Sequence, residues 1–192
     1  MLQHLPHWLG EAMRTVRAGS DRLTLATLGT ASELPTLELT SPAFGDGDPI
    51  PVRFTADGEG ISPPLAWGPE PETTRSLVLM VEDADAPAPI PLVHALLFDI
   101  SPETRHIAEG AIGGHARGDA EIGETGRNSY LRSGWLPPDP PTGHGVHHYA
   151  FQLFALDTPI DLTGHPGRTA LVEAMTGHVV AAGMLTATYE RR

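Results

Sequence analysis

The central part of the chain consists of short apolar runs separated by clusters of Gly, Pro and Asp, which predicts strands joined by turns. The clusters include PAFGDGDP, ADGEGISPP and DADAPAP. The predicted strands are residues 34–40, 51–55, 76–82, 93–100, 149–157 and 184–190. The runs SLVLMV and VHALLF are almost continuously apolar. They therefore predict central strands that are covered on both faces.

Helical spacing of apolar residues occurs near both ends of the chain. The N-terminal face consists of Leu2, Leu5, Trp8, Leu9, Ala12, Met13 and Val16, and a linker is predicted at 18–33. A second helix is predicted from the spacing of Leu171, Ala174, Met175, His178, Val179 and Ala182. Thr169 is its predicted N-cap and Gly183 its predicted end. The pattern predicts a mostly β protein with peripheral helices, divided into an amphipathic helix with its linker at 1–33 and a domain at 34–192.

The charge balance restricts the kind of partner. The net charge is −12, with 12 basic and 24 acidic residues and no Lys. Nucleic acids need clustered Lys and Arg, so we expect no nucleic-acid partner. A bound anion has to be held by His, Arg or backbone N–H groups. The chain has no Cys, which excludes thiolate metal sites and disulfides.

Membrane and secretory signals are also missing from the pattern. No apolar run reaches the roughly 20 residues of a membrane-spanning helix. Charged residues interrupt the N-terminal segment, which therefore lacks the apolar core of a secretory signal. We expect a soluble, cytoplasmic protein.

Candidate polar residues lie at strand ends and inside strands. Asp83 and Asp85 follow the run SLVLMVE, and their spacing places both on one side of an extended chain. Turn capping is the alternative role, above all for Asp85. His94 is predicted to share a face with the apolar residues Leu96, Phe98 and Ile100. It is either a core histidine or a site residue whose pKa the carboxylates raise.

The stretch from residue 126 to 157 contains four prolines and a histidine pair. Pro137, Pro138, Pro140 and Pro141 make a stiff loop, which is either a preorganised pocket wall or a rigid surface crossover. His147 and His148 are adjacent in a strand, so they point to opposite faces. The remaining histidines are interpreted as solvated or structural: His4, His7, His106, His115, His144 and His165.

Common catalytic signatures are absent from the sequence. There is no G-x-S-x-G, no H-E-x-x-H and no phosphate-binding glycine loop that ends in Lys. Two histidines with one or two carboxylates, spread over three strands, form only a weak signal for a divalent metal.

Several motifs, in order, resemble the phosphatidylethanolamine-binding protein family in its bacterial Raf kinase inhibitor-like branch. They are SPAFGDGDPIPVRFTADGEGISPPLAWG, VEDADAP, VHALLFDI, GRNSYLRSGW, PPDPPTG, HHYAFQLFALD and AMTGHVVAAGMLTATYER, and they cover roughly residues 37–191. The resemblance implies a central antiparallel sheet packed on a smaller second sheet, with helices at the periphery. It also implies a small cavity at the sheet edge for phosphate-like head groups and other small anions.

The resemblance assigns site residues one by one. It implies ligand-binding roles for Asp83, Asp85, His94, Trp135, Pro138, Pro140 and His147. Backbone N–H groups of residues 126–129, beginning with Gly126, are expected to add donors. Three positions depart from the family pattern: Ala95 replaces a common Trp, Asp139 a common Cys, and His148 the usual Arg. The last two are expected to make the cavity mouth more acidic and to weaken anion binding.

We therefore expect a ligand-binding protein, not an enzyme, that takes a small anionic ligand and needs no cofactor or bound metal. Anion binding is expected to weaken as the pH rises. A protein partner is expected from the family, and a homodimer is expected from the N-terminal apolar face. Two alternatives stay open. One is an inhibitor of a kinase or protease with a vestigial pocket, and the other is a metal-assisted hydrolase that uses Asp83, His94 and His147.

Overall fold

The computed structural model describes residues 7–28, 33–113 and 122–191. Its α-helices are α1 (His7–Ala12), α2 (Thr24–Thr27) and α3 (Arg168–Met175), with 3₁₀ turns at Ser20–Arg22 and Val52–Phe54. Its strands are β1 (Leu39–Thr40), β2 (Leu65–Trp67), β3 (Ser76–Asp83), β4 (Leu92–Ile100), β5 (His106–Ile107), β6 (Glu124–Thr125), β7 (His147–Leu156) and β8 (Val179–Tyr189). No helix in these ranges is long and apolar enough to span a bilayer.

The strands form two antiparallel sheets, as the mostly β prediction requires. The larger sheet has the order β6-β4-β3-β7-β8, and the smaller has the order β1-β2-β5. Leu77 of the central strand β3 packs in the core between the sheets with Leu65. Val78 and Met80 point the other way, into a second core that includes Leu171 of α3. Both faces of β3 are therefore buried, which explains its continuous apolar run.

Some predicted elements were wrong. Residues 51–55 contain a 3₁₀ turn instead of a strand. The late helix ends at Met175, and Val179 and Ala182 belong to β8, where pairing with β7 overrides the helical spacing. Gly183 is not a helix stop. A Cβ at this position would lie 2.1 Å from the carbonyl oxygen of Leu37, so glycine is required where two backbones approach closely.

Residues 18–28 of the segment predicted as a linker pack against the larger sheet. The backbone N–H groups of Ala18 and Gly19 donate to the carbonyls of Ala86 and Ala84, at 3.0 and 2.8 Å. A 3₁₀ turn and α2 follow. The predicted apolar positions Leu2 and Leu5 lie outside the described residues, as do positions 29–32.

A buried carboxylate fastens α2 to the sheet. Glu82 accepts hydrogen bonds from the backbone N–H of Thr24 (2.7 Å), from Gln152 Nε2 (2.7 Å) and from Arg168 Nε (2.6 Å). These donors come from the N-terminal segment, β7 and α3. A buried carboxylate is tolerated only when it is paired and hydrogen-bonded, and here both conditions are met.

Candidate functional site

A cavity of about 620 Å³ opens beside the ends of β3, β4 and β7. Apolar residues of the loops around residues 86–92 and 136–141 form much of its wall. Its polar and charged lining residues are Asp83, His94, Tyr130, Arg132, Asp139, His147 and Tyr149. The structure therefore brings Asp83, His94 and His147 to one cavity, as the sequence analysis expected.

A β-bulge directs His94 into the cavity. Val81 pairs with Ala95 and Glu82 pairs with Val93, so His94 is the extra residue in β4. A bulge changes the direction of a side chain, and the His94 ring packs against Trp135 and Tyr149. The expected shared face with Leu96 and Phe98 was wrong, because those two residues point into the core beneath α3.

His94 is neutral in this environment. Its Nδ1 lies 2.6 Å from the carbonyl oxygen of Leu136, and a carbonyl only accepts, so Nδ1 carries the proton. Burial lowers the pKa of His94, and the charge of Asp83 offsets that effect only in part. The expected rise in the pKa of His94 was therefore wrong. The other nitrogen, Nε2, is a buried acceptor without a partner among the described residues.

Tyr149 presents a second buried polar atom. It lies two residues after His147 in β7 and is fully buried. Its hydroxyl also has no hydrogen-bond partner in the described part of the chain. Burial raises the pKa of Tyr149 well above its ordinary value, and the charge of Asp83 adds to the effect. The hydroxyl is therefore protonated and can donate to a ligand.

A chain of hydrogen bonds leads from Asp83 away from the cavity. His147 Nδ1 lies 2.7 Å from Asp83 Oδ2, and His147 Nε2 lies 2.7 Å from His144 Nδ1. His144 Nε2 lies 2.8 Å from the carbonyl oxygen of Met13, just after α1. His144 is fully buried, so the solvated alternative is wrong.

The proline-rich loop is held by a C-terminal arginine. Arg191 Nη1 bonds to Asp139 and to the carbonyl of Pro140, and Arg191 Nη2 lies 2.7 Å from Asp57 Oδ1. The hydrogen bond from Arg191 is the main reason that the pKa of Asp57 is lowered. Asp139 does not simply make the mouth more acidic, as was expected, because Arg191 compensates its charge.

Asp85 turns away from the cavity. Strand β3 ends at Asp83, so the alternation that would place both carboxylates on one side does not continue. Asp85 instead forms an ion pair with Arg17 and accepts from the backbone N–H and ring Nδ1 of His148. Burial acts to raise the pKa of Asp85, but the hydrogen bonds from His148 and Arg17 outweigh it and lower the pKa. His148 points to the face opposite His147, as predicted.

Two further predicted site residues, Trp135 and Pro138, support the cavity without lining it. Trp135 donates from Nε1 to the carbonyl of Phe54 and stacks on Phe151. The carbonyl of Pro138 accepts from the backbone N–H of Ala56 at 2.9 Å. Of the predicted prolines, Pro140 does line the cavity.

The predicted backbone anion site at residues 126–129 was wrong. Gly126 fits closely between Leu96 and the carbonyl of Pro166, away from the cavity. The N–H groups of all four residues donate to carbonyl oxygens of the protein, at 2.8–3.0 Å, so they are not available to an anion.

Several lining residues were not predicted from the sequence, above all Tyr149, Tyr130 and Arg132. Alternation could have found Tyr149, because residues i and i+2 of a strand share a face and His147 was already named. Among the residues described, no group of three or more His, Asp or Glu side chains is arranged to hold a metal ion.

Comparison with known proteins gives consistent similarities. A family model described as phosphatidylethanolamine-binding protein matches residues 40–190. UPF0098 protein PH1269 of Pyrococcus horikoshii is 39% identical over 88% of this chain and 84% of its own length. The crystal structure of the homologue CT736 from Chlamydia trachomatis is 36% identical, with a TM-score of 0.73 over 82% of this chain and 99% of that chain. YbcL of E. coli shares the fold, with a TM-score of 0.76 at 23% identity over 81% of this chain and 99% of that chain.

Proposed function

Since the chain belongs to the phosphatidylethanolamine-binding protein family, we propose that it is a ligand-binding protein, and not an enzyme, whose cavity holds a small molecule with a phosphoryl group. The observation that carries the proposal is the pair of unpartnered polar atoms in the cavity residues His94 and Tyr149. His94 Nε2 accepts, and the Tyr149 hydroxyl donates. A ligand that satisfies both therefore needs a donor and an acceptor.

A singly protonated phosphoryl group meets that requirement. Its P–OH donates to His94 Nε2, and a neighbouring oxygen accepts from Tyr149. The fully ionised group has no proton, so it would place a lone pair against Nε2. The second pKa of a phosphate monoester is about 6. Binding is therefore expected to weaken as the pH rises through that value, with the ligand and not His94 carrying the titrating proton.

The charges around the cavity support an anionic ligand of moderate affinity. The carboxylates of Asp83 and Asp139 are engaged with His147 and Arg191. Arg132 also lines the cavity and contributes a positive charge. The alanine and proline side chains of the wall provide apolar surface for the rest of the ligand.

The contacts of His147 support binding in preference to catalysis. Both of its ring nitrogens are engaged, one with Asp83 and the other with His144. A general base has to reach the proton that it removes from a substrate. His147 lacks a ring nitrogen for that purpose while these two contacts persist.

Calorimetric titration with phenyl phosphate and with inorganic phosphate tests the proposal. Dimethyl phosphate, a diester that has no P–OH, is the comparison ligand. We expect phenyl phosphate and inorganic phosphate to bind at pH 5.5 and to bind more weakly at pH 8.5. His147→Ala should weaken binding, whereas His148→Ala on the opposite face should not. Failure of all three ligands to bind at pH 5.5 would reject the phosphoryl ligand. Release of inorganic phosphate from phenyl phosphate, followed by ³¹P NMR, would show that the protein is an enzyme.

A further inference from the structure

We propose that Asp83, His147 and His144 hold one shared proton, and that this proton fastens the helix α1 to the cavity wall and releases it when it is lost. The three residues are at most 4% exposed. They join the cavity to the carbonyl oxygen of Met13 through three consecutive contacts of 2.7, 2.7 and 2.8 Å. The inference does not depend on which ligand occupies the cavity.

Counting protons along the contacts gives the charge of the group. The Met13 carbonyl only accepts, so His144 Nε2 must carry a proton. Each of the three contacts needs one proton, which makes three in all. Two neutral imidazoles and an ionised carboxylate together carry only two. All three hydrogen bonds are therefore made only when the group holds one additional proton and has no net charge.

The surroundings place that proton on His147. Burial lowers the pKa of His144, and the neighbouring charge of His147 lowers it further, so His144 is the neutral member. His147 then donates from both nitrogens, to Asp83 and to His144. Asp83 Oδ1 also accepts from the backbone N–H of Asp85 at 2.8 Å.

Other charged or titratable groups face this cluster from each neighbouring element. His94 of β4 and Tyr149 of β7 lie on the cavity side and are both uncharged. Arg17, which follows α1, lies near His144 and is paired with Asp85. On the proline-rich loop, Asp139 is paired with Arg191. The remaining titratable neighbours are His7 of α1, whose ring lies close to Gly143 and faces Glu11, and His148 of β7, which bonds to Asp85. Substitution of His144 separates their effect from that of the shared proton.

Loss of the proton breaks the outermost contact. With two protons left, one of the three contacts must bring two lone pairs together. The buried carboxylate of Asp83 holds its donor most strongly, because its charge is otherwise uncompensated. His147 therefore keeps the proton on Nδ1. The single proton of His144 can then serve either His147 or the Met13 carbonyl. His147 is buried, whereas Met13 is only half-buried, so water can replace His144 at its carbonyl. His144 therefore places its proton on Nδ1, and its bare Nε2 faces the Met13 carbonyl.

Few other contacts hold the helix in that state, and one of them is the ring of His7 beside the backbone of Gly143. Helix α1 has six residues, and Trp8 on its surface is 67% exposed. Gly10 touches the backbone of Thr142, where a Cβ would lie 2.1 Å from the carbonyl oxygen. Arg17, which bonds to Asp85 and to the carbonyl of Val146, anchors the chain just after this point. Release is therefore confined to the part of the segment before Arg17.

Site-directed spin labelling tests the proposal. The chain has no Cys, so a single Glu11→Cys substitution places one label on the exposed face of α1. The control is Met184→Cys, at an exposed position on β8. Between pH 5.5 and 9, which brackets the ordinary His pKa of about 6.5, the immobile component at position 11 should disappear and the label at 184 should not change. With His144→Phe added, the label at 11 should be mobile at every pH.

A label at position 11 that stays immobile throughout the pH range, or that titrates equally with His144→Phe, would overturn the proposal. Nitrogen-15 spectra of the unsubstituted protein give a second measurement that does not rely on a variant that folds. At pH 5.5 the rings of His144 and His147 should together carry three N–H protons, falling to two at high pH. Two protons at pH 5.5 would also overturn it. No ligand is added in either experiment, so the result is separate from that of the phosphate titration.

Discussion

The ring of His94 lies edge-on to the ring of Tyr149, with the two centroids 5.0 Å apart. Nε2 of the first and the hydroxyl of the second are both buried, and neither has a partner among the described residues. A buried polar group without a partner costs about 1–3 kcal/mol. The two residues thus reduce stability at the same place where they give the cavity its hydrogen-bonding character.

Tyr149→Phe should separate stability from binding. The change removes a buried hydroxyl that has no partner, so we expect the free energy of unfolding to stay the same or to rise by up to about 1 kcal/mol. The affinity for phenyl phosphate at pH 5.5 should fall, because the donor is lost. Urea unfolding and calorimetry measure the two quantities. A large loss of stability with unchanged affinity would mean that the hydroxyl has a structural partner instead.

His94→Gln should reduce the loss of stability in acid. Burial lowers the pKa of His94, so below about pH 6.5 the unfolded chain binds a proton that the folded chain does not. Stability is complete above that pH and is lost as the pH falls toward the lowered value. Glutamine keeps an N–H donor for the Leu136 carbonyl but does not titrate. The loss of unfolding free energy between pH 8 and pH 5 should therefore be smaller in the variant.

The control for this prediction is His148→Gln, because His148 is exposed and lies on the opposite face. The comparison has to be made between variants and not on the wild-type profile alone, because the chain contains other histidines. An equal pH dependence in wild type and His94→Gln would contradict the assignment of His94 as a buried neutral base.

Arg191→Lys should loosen the cavity wall. Arginine bridges Asp57, Asp139 and the carbonyl of Pro140, and the single ammonium group of Lys cannot reproduce this planar geometry. Losing hydrogen bonds to charged groups is expected to cost about 1.5–3 kcal/mol. Hydrogen exchange of the Ala56 amide, which donates to the carbonyl of Pro138, should accelerate, and the affinity for phenyl phosphate should fall.

The matched control for that change is Arg53→Lys. Arg53 contacts Glu59 and Glu109, and all three side chains are well exposed. Exposed ion pairs contribute little, so this variant should be close to wild type. If the two variants were equally stable, the Arg191 bridge would not be what holds the loop.

The predicted homodimer is better tested by a single substitution than by deletion of the N-terminal segment. Deletion of residues 1–33 would remove Thr24 and leave Glu82 without that donor. Trp8→Glu keeps the fold and changes only an exposed apolar residue of α1. Burial of such a side chain is worth about 1.5–3 kcal/mol, so the substitution should give a monomer by light scattering. Val52→Glu, also exposed, should remain dimeric, and a monomeric wild type would exclude the dimer.

The sequence predicted the parts of the fold whose pattern is long and repeated. The continuous apolar runs identified β3 and β4 because both faces of these strands are buried. β2, β5 and β6 have two or three residues each, which is too short for an alternating pattern to be detected. The spacing of residues 171–182 suggested one helix, although its second half pairs with β7.

The sequence predicted several residues of the candidate site but not the directions in which their side chains point. Asp83 was named from its position at a strand end, and His94 and His147 were named from their positions within strands. The direction of His94 depends on a bulge, and that of Asp85 depends on the strand ending two residues earlier; neither has a clear sequence signature. The contact of His144 with Met13 was not predictable either, because Met13 contributes a backbone carbonyl, which every residue has.

The buried contacts of Glu82 have a consequence for how long the folded chain survives. They join residues that are 58, 70 and 86 positions apart in the sequence. Such distant segments meet late in folding, because closing long loops costs entropy before the contact is gained. Contacts that form after the transition state slow unfolding and leave the folding rate almost unchanged. Resistance to proteolysis through global unfolding would then depend on the face of β3 that points away from the cavity.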